Sequence, residues 1–174
     1  MDLETLILSK NSKEVWNQVA TIAIESPNRI TEIIDFFESD NIFLVQRSTQ
    51  IMSKIHDKRP DLLAPYFMRL INGLAKAQKD AYKRNVLRIF QSAQIPEAGT
   101  TLLFDKALTY IQNKEEAIAI QAFSFTVLRK ICETYPELAS EVKDNIELIL
   151  LENKSAGIQN RGRKEVNRLK KLMI

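Results

Sequence analysis

At 174 residues, with hydrophobic side chains at 45% and charged ones at 27%, the chain has the size and make-up of one domain with a continuous core, and neither disorder nor a fibrous repeat is expected. The formal net charge is only +3, which by itself points to no class of partner, and the single cysteine, Cys132, excludes an internal disulfide. No apolar run reaches the length that crosses a bilayer, and the N-terminal MDLETLILSKNSKE has no basic region before its short apolar stretch, so a cytoplasmic protein is expected.

The apolar spacing predicts five helix pairs between residues 1 and 174, with no linker or low-complexity tract among them. The first pair is Asp2–Ser9 and Ser12–Glu25, where Ser12 is an N-cap candidate and Val15, Trp16, Val19 and Ile22-Ala23 make the core face. The second is Asn28–Ser39 and Ile42–Asp57, turning at Asp40-Asn41. The third is Asp61–Ala77 and Asp80–Gln94, joined near Gln78-Lys79, with Ala64-Pro65 in the first turn of its first helix, where proline is tolerated. The fourth is Glu97–Asn113 and Glu115–Thr134. The fifth is Glu137–Asn153 and Ala156–Met173, joined by Lys154-Ser155.

The clearest stretch is 117–151. Ile120, Phe123, Val127, Leu128 and Ile131 lie on one side of a break at Tyr135-Pro136, and Leu138, Val142, Ile146, Ile149 and Leu150 on the other. Both sets follow the i, i+3, i+4, i+7 spacing of a helical stripe. This pattern recurs at a shift of 38 residues. Leu44, Tyr82, Ile120 and Ile158 share one column. Ile51-Met52, Ile89-Phe90, Val127-Leu128 and Glu165-Val166 share the next, and Ile55, Ala93, Ile131 and Leu169 a third. For the first helices, Leu62, Tyr66, Leu70 and Leu74 align with Thr100, Phe104, Leu108 and Gln112, then with Leu138, Val142, Ile146 and Leu150. Pro60 and Pro136 mark equivalent breaks. The expected core therefore includes Ile51, Ile55, Leu70, Ile89, Phe90, Leu108, Val127, Leu128, Ile131 and Ile146.

A two-helix period of this size marks an α-solenoid. Over nearly the whole chain it resembles the HEAT repeats of the armadillo-like superfamily, although the aspartate usual in HEAT turns is often missing. The resemblance implies an all-α fold, a right-handed α-α superhelix of about five antiparallel helix pairs. It also implies that second helices line a concave surface and that the protein acts as a scaffold or adaptor.

Little in the chain promises chemistry. His56 is the only histidine and falls one place after a core position; the four glycines, Gly73, Gly99, Gly157 and Gly162, never cluster into a phosphate loop. Glu115-Glu116 suits the positive end of a helix dipole. Cys132 lies beside Ile131 and reads as a small core filler. The Gly-Ser-Ser-x-Met-Pro-x-Lys-x-Asn loop of aspartase-type lyases is absent. Neither a metal site nor a cofactor is expected, and the protein is read as a binder and not an enzyme.

Charge placement is more informative than its total. Residues 1–44 carry three basic and eight acidic side chains and residues 89–153 five and ten, whereas residues 54–88 carry nine and three and residues 154–174 seven and one. On the predicted helices, from the second pair onward, basic residues collect on the second member of each pair, where Glu165 is the only acid within a helix body; Lys130, Arg163, Lys170 and Lys171 join the same bias. Arg47, Lys54, Lys83, Arg84, Arg88, Arg129, Arg161, Lys164 and Arg168 are the groove candidates. At a helical step of about 100° per residue, Arg84 and Arg88 share one side, as do Arg161, Lys164 and Arg168. Such a stripe is either an ordinary solvated face or a groove that draws an acidic protein or peptide. Nucleic acid is the alternative partner, because the architecture is also similar to the helical-repeat DNA glycosylases, which bind DNA on a basic concave face. That family relies on aromatic residues and an acid in the groove. Here the only tryptophan, Trp16, lies in the first pair, and no acid stands out among the groove positions. The C-terminal segment 161–174 is expected to dock Val166, Leu169, Leu172 and Met173 onto Ile146, Ile149 and Leu150. As a basic amphipathic helix it also suits an anionic membrane surface.

Overall fold

Proline and asparagine set the helix boundaries. The computed structural model describes residues 2–76, 79–153 and 155–173. Among them it has ten α-helices and no strand: α1 (Leu3–Ser9), α2 (Lys13–Glu25), α3 (Ile30–Phe37), α4 (Ile42–Lys58), α5 (Phe67–Gly73), α6 (Asp80–Phe90), α7 (Glu97–Gln112), α8 (Ile118–Thr134), α9 (Ala139–Glu152) and α10 (Ala156–Lys170). Ser12 caps α2 as expected, its hydroxyl accepting from the Val15 amide at 3.4 Å. The carboxylate of Asp2 caps α1. Asn41 caps α4, accepting from the amides of Phe43 and Leu44. These side chains fill donor positions that the first turn of a helix leaves open.

Prolines 27, 60 and 136 each start a short 3-10 turn ahead of the next α-helix. Around Pro65 the outcome departs from the expected helix 61–77. Proline cannot donate to the carbonyl four residues back, and it pushes its predecessor from the α region. Residues 60–66 therefore form two 3-10 turns, and α5 is only seven residues long. The end expected at Ala77 and the linkers at Gln78 and Lys154 lie outside the described residues. Similarly, α8 begins at Ile118, so Glu115 and Glu116 sit in the preceding turn; α6 and α10 stop at Phe90 and Lys170.

By contacts, the chain divides into two compact units, 1–85 and 86–174. In the first, α4 packs against α1, α2 and α3. Leu3, Ile7, Val19, Ile33, Ile34 and Phe37 join Ile51, Met52 and Ile55 in a core from which water is excluded. Phe37 stacks on Tyr82 with ring centroids 4.5 Å apart. Gly73 makes that possible, since a Cβ there would lie 1.8 Å from the Tyr82 hydroxyl oxygen.

In the second unit α8 is central, packed against α7 and α10, while α9 packs against α10 and α7. Ile120, Phe125, Val127, Leu128, Ile131 and Cys132 of α8 are all buried. Each such large apolar side chain contributes about 1.5–3 kcal/mol relative to an exposed one. The docking expected of the C-terminal helix is present: Ile158, Val166 and Leu169 are buried, while Leu172 is half-buried and Met173 exposed. Leu150 approaches α10 where Gly162 has no side chain; a Cβ there would stand 2.6 Å from its Cδ2.

All three second-helix columns of the 38-residue repeat are buried, including Glu165. The first-helix columns are buried only in part. In α7 the buried residues are Gly99, Leu103, Ala107, Tyr110 and Ile111, so Thr100, Phe104 and Leu108 are half-buried and Gln112 is exposed. Leu108 is thus not a core residue. Elsewhere in the same columns Leu70, Leu74, Val142 and Ile146 are buried, so the full departure lies in α7.

Candidate functional site

The nine basic groove candidates fall into two groups. Five are held by the fold or drawn toward it. Arg47 Nη1 donates to the carbonyl oxygen of Ile7 at 2.8 Å, and its guanidinium lies 5.9 Å from the Phe43 ring centroid. A cation there meets the negative end of α1. Lys54 is half-buried. Lys83, also half-buried, pairs with Asp80 at 3.1 Å. The other two, Arg129 and Arg161, belong to one polar cluster between α8 and α10. The remaining four, Arg84, Arg88, Lys164 and Arg168, are exposed.

The cluster is centred on Glu165, whose side chain is 1% exposed. Its carboxylate accepts from Thr126 Oγ1 and from Arg129 Nε, each at 3.0 Å, and Arg168 Nη1 stands 3.5 Å away. Arg129, with 10% of its side chain exposed, also pairs with Glu133. Arg161 Nη1 reaches the Thr126 hydroxyl and Gln91 Oε1, both at 2.7 Å. A buried charge persists only where partners satisfy it, and the partners here come from two helices. Arg129 therefore offers little of its charge to solvent. Glu165 is the acid that the second-helix pattern left unassigned. Its position in the column of Ile51, Ile89 and Val127, with Arg129 one repeat earlier, was the signal for a buried pair.

Lys130 has a related role: its Nζ donates to the carbonyls of Phe90 at 2.9 Å and Ala93 at 2.6 Å. Burial, together with the adjacent Arg129 charge, holds its ammonium below the usual lysine value. Burial pushes the Cys132 thiol up to about 12, far from the range of a nucleophilic thiolate.

Among the described residues a cleft opens on the surface of each unit. A cleft of about 770 Å³ in the first includes Phe37, Glu38, Arg69, Asn72, Lys76 and Tyr82 in its lining. Arg69 there is tied to Asp35 at 2.6 Å and to Glu38 at 2.7 Å. The second cleft, about 660 Å³, lies among the ends of α7 and α9 and the start of α8. Its lining includes Ile111, Gln121, Asn145, Leu148, Ile149 and Glu152.

The turns beside this second cleft repeat their chemistry. Asn113 Oδ1 accepts from the Glu115 amide at 3.1 Å, and Asn153 Oδ1 from the Ser155 amide at 3.0 Å. Gln121 then donates to the Asn113 carbonyl at 2.8 Å, and Gln159 to that of Asn153 at 2.7 Å. Helix, asparagine turn and glutamine-clamped helix thus recur as one unit along the chain. Residues 2–169 match the model of the HEAT repeat domain. The chain belongs to the HEAT repeat family. As in the expected HEAT organisation, its helices come in pairs and its repeat-equivalent second helices bury equivalent columns. No curated protein and no solved structure matches this HEAT repeat chain. No helix among its described residues is long and apolar enough to cross a membrane.

Proposed function

We propose that this HEAT repeat protein is a non-catalytic cytoplasmic scaffold that binds an acidic segment of a protein partner through exposed cations on its second helices. One observation carries the reading. Arg84 and Arg88 on α6, and Lys164 and Arg168 on α10, are two exposed pairs of like charge spaced i, i+4. Side chains at that spacing are neighbours, and like charges there disfavour the helix by about 0.2–0.5 kcal/mol. A bound carboxylate would meet two neighbouring cations at each pair; at α10 one of them, Arg168, also stands 3.5 Å from the Glu165 carboxylate.

The test is fluorescence anisotropy with a labelled oligoglutamate peptide and, separately, a labelled DNA duplex, at low and moderate salt. The peptide is expected to bind more weakly as salt rises. Arg84→Glu with Arg88→Glu, and Lys164→Glu with Arg168→Glu, should each weaken binding and flatten its salt dependence. Preference for the duplex, with a steep salt slope from phosphate contacts, would move the reading to nucleic acid. Absence of peptide binding even at low salt, or binding indifferent to both double reversals, would refute the role of these residues.

A further inference from the structure

We propose that Arg161 is the seat for one carboxylate of the acidic partner, gripping a single aspartate or glutamate side chain of the bound segment; the inference rests on the scaffold reading above. Arg161 is half-buried, and the fold holds it in place without neutralising it. Its Nη1 donates to the Thr126 hydroxyl and to Gln91 Oε1, both at 2.7 Å. Both acceptors are uncharged. Thr126 gives its own proton to Glu165 at 3.0 Å, so a hydroxyl stands between this guanidinium and the buried carboxylate. Glu165 is itself taken by Arg129 at 3.0 Å, with Arg168 3.5 Å away. A guanidinium only donates, and the two bonds to Thr126 and Gln91 use both Nη1 hydrogens. The Nε and Nη2 donors have no partner among the described residues. Neither nitrogen is one of the buried atoms left without a hydrogen bond, so both keep an opening to solvent.

That edge of the guanidinium is the one through which this chain grips its own acids. Arg29 holds Glu32 through Nε at 2.8 Å and Nη2 at 3.0 Å. Arg59 holds Asp61 in the same way at 2.8 and 2.6 Å, and Arg69 holds Glu38 at 3.0 and 2.7 Å. Two parallel N–H bonds to the two oxygens of one carboxylate are stronger than neutral hydrogen bonds and fix its orientation. In Arg161 the same edge faces no acid among the described residues. Burial has already removed part of the hydration of this charge, so an anion returns more to it than to a fully exposed cation. The neighbours set how much negative charge the seat takes. Glu165 and Glu133 belong to the same cluster and oppose a second negative charge, which favours a carboxylate over a phosphate dianion. Lys164 and Arg168, exposed and three and seven residues further along α10, lie on the same side of the helix, so the seat continues into the exposed pair.

The test follows the arginine Nε–H signals of the isotope-labelled full chain by NMR. The probes are the oligoglutamate peptide and N-acetylglutamate bis-methylamide's acidic counterpart, N-acetylglutamate α-methylamide, whose only charge is its side-chain carboxylate. Both should shift the Arg161 Nε–H signal and slow its exchange with water, the small molecule at far higher concentration. Arg161→Lys keeps the charge but cannot form the fork, and should weaken peptide binding about ten-fold. Because Arg161 also ties α10 to Thr126, Gln91→Glu supplies the second variant. It offers the guanidinium an acid from within the chain, and should weaken binding without lowering the melting temperature. Gln94→Glu adds the same charge at an exposed position nearby and should bind the peptide nearly as the native chain does. Peptide binding that depends on Arg84, Arg88, Lys164 and Arg168 but is unchanged in Arg161→Lys and Gln91→Glu would overturn the seat and leave the scaffold reading standing. An Arg161 signal that answers the small carboxylate, in a chain that binds no peptide, would support the seat and remove the scaffold reading. No response of Arg161 to either probe, or tighter binding of a phosphoserine peptide of equal length, would overturn the carboxylate assignment.

Discussion

Replacing Glu165 by leucine tests whether its buried cluster holds α8 and α10 together. The carboxylate accepts two hydrogen bonds at 3.0 Å, from Thr126 and Arg129, inside a site where the side chain is 1% exposed. Leucine fills comparable space but leaves the Arg129 Nε–H without its acceptor. Removing one member of a buried ion pair costs about 3–5 kcal/mol. Here Arg129 retains Glu133 and Thr126 retains Arg161, so the lower end, about 3 kcal/mol, applies. For a chain of this length that corresponds to a fall in Tm of about 6–12 °C. Urea denaturation followed by circular dichroism gives the free energy, and Arg129→Met completes a double-mutant cycle. Each single change should be costly, whereas the double variant, with both charges gone and the volume kept, should recover most of the loss. A cost under about 1 kcal/mol for Glu165→Leu, or a double variant whose cost is the sum of the singles, would contradict this account of the cluster.

Leu128→Ala, at a fully buried position in the centre of α8, should cost about 2–5 kcal/mol by the same denaturation measurement. The Cys132 thiol, buried and pushed up to about 12, should react with a disulfide reagent at neutral pH only as the chain opens. Its labelling rate should therefore rise along the urea transition, and rapid labelling of the folded chain would contradict its burial. Hydrogen bonds from Arg29 and Lys143 hold the carboxyls of Glu32 and Glu147 below their ordinary 4.5. A carboxylate depressed in the folded state contributes stability that is present above 4.5 and lost as pH falls through the folded value. Both sites are solvent-screened, so stability should decline modestly below pH 4.5 in low salt, and less in high salt.

The pairing of helices and the second-helix columns were legible because their signal is periodic and strong: Ile51, Ile89, Val127 and Leu128 are large, apolar and fixed at 38 residues. The first helices were harder to read. In α7 the buried face includes Gly99 and Ala107, small residues that add little to an apolar pattern. The shortening of α5 depended on how far the restriction of Pro65 spreads, which a rule tolerating proline in a first turn underestimates. The basic stripe was visible as composition, but whether a cation faces solvent is decided by groups about one repeat away. Arg47 finds Ile7, Lys130 finds Phe90, and Arg129 finds Glu165. Gln121 carried no sequence signal of its own, since its unpartnered oxygen exists only because Asn113 takes the nitrogen.

The carbonyl contacts of Arg47, Lys79 and Lys130 bear on how the protein comes apart. Each lysine or arginine holds a main-chain oxygen 40 residues earlier, at Ile7, Ser39 and Phe90 respectively. They act as latches of one-repeat reach, adding to the nearest-neighbour coupling of an array whose local units have little stability alone. Opening one repeat strips its neighbour of a donor, so fraying should advance in repeat-sized steps. A chain shortened within a repeat would be left with a latch and no catch.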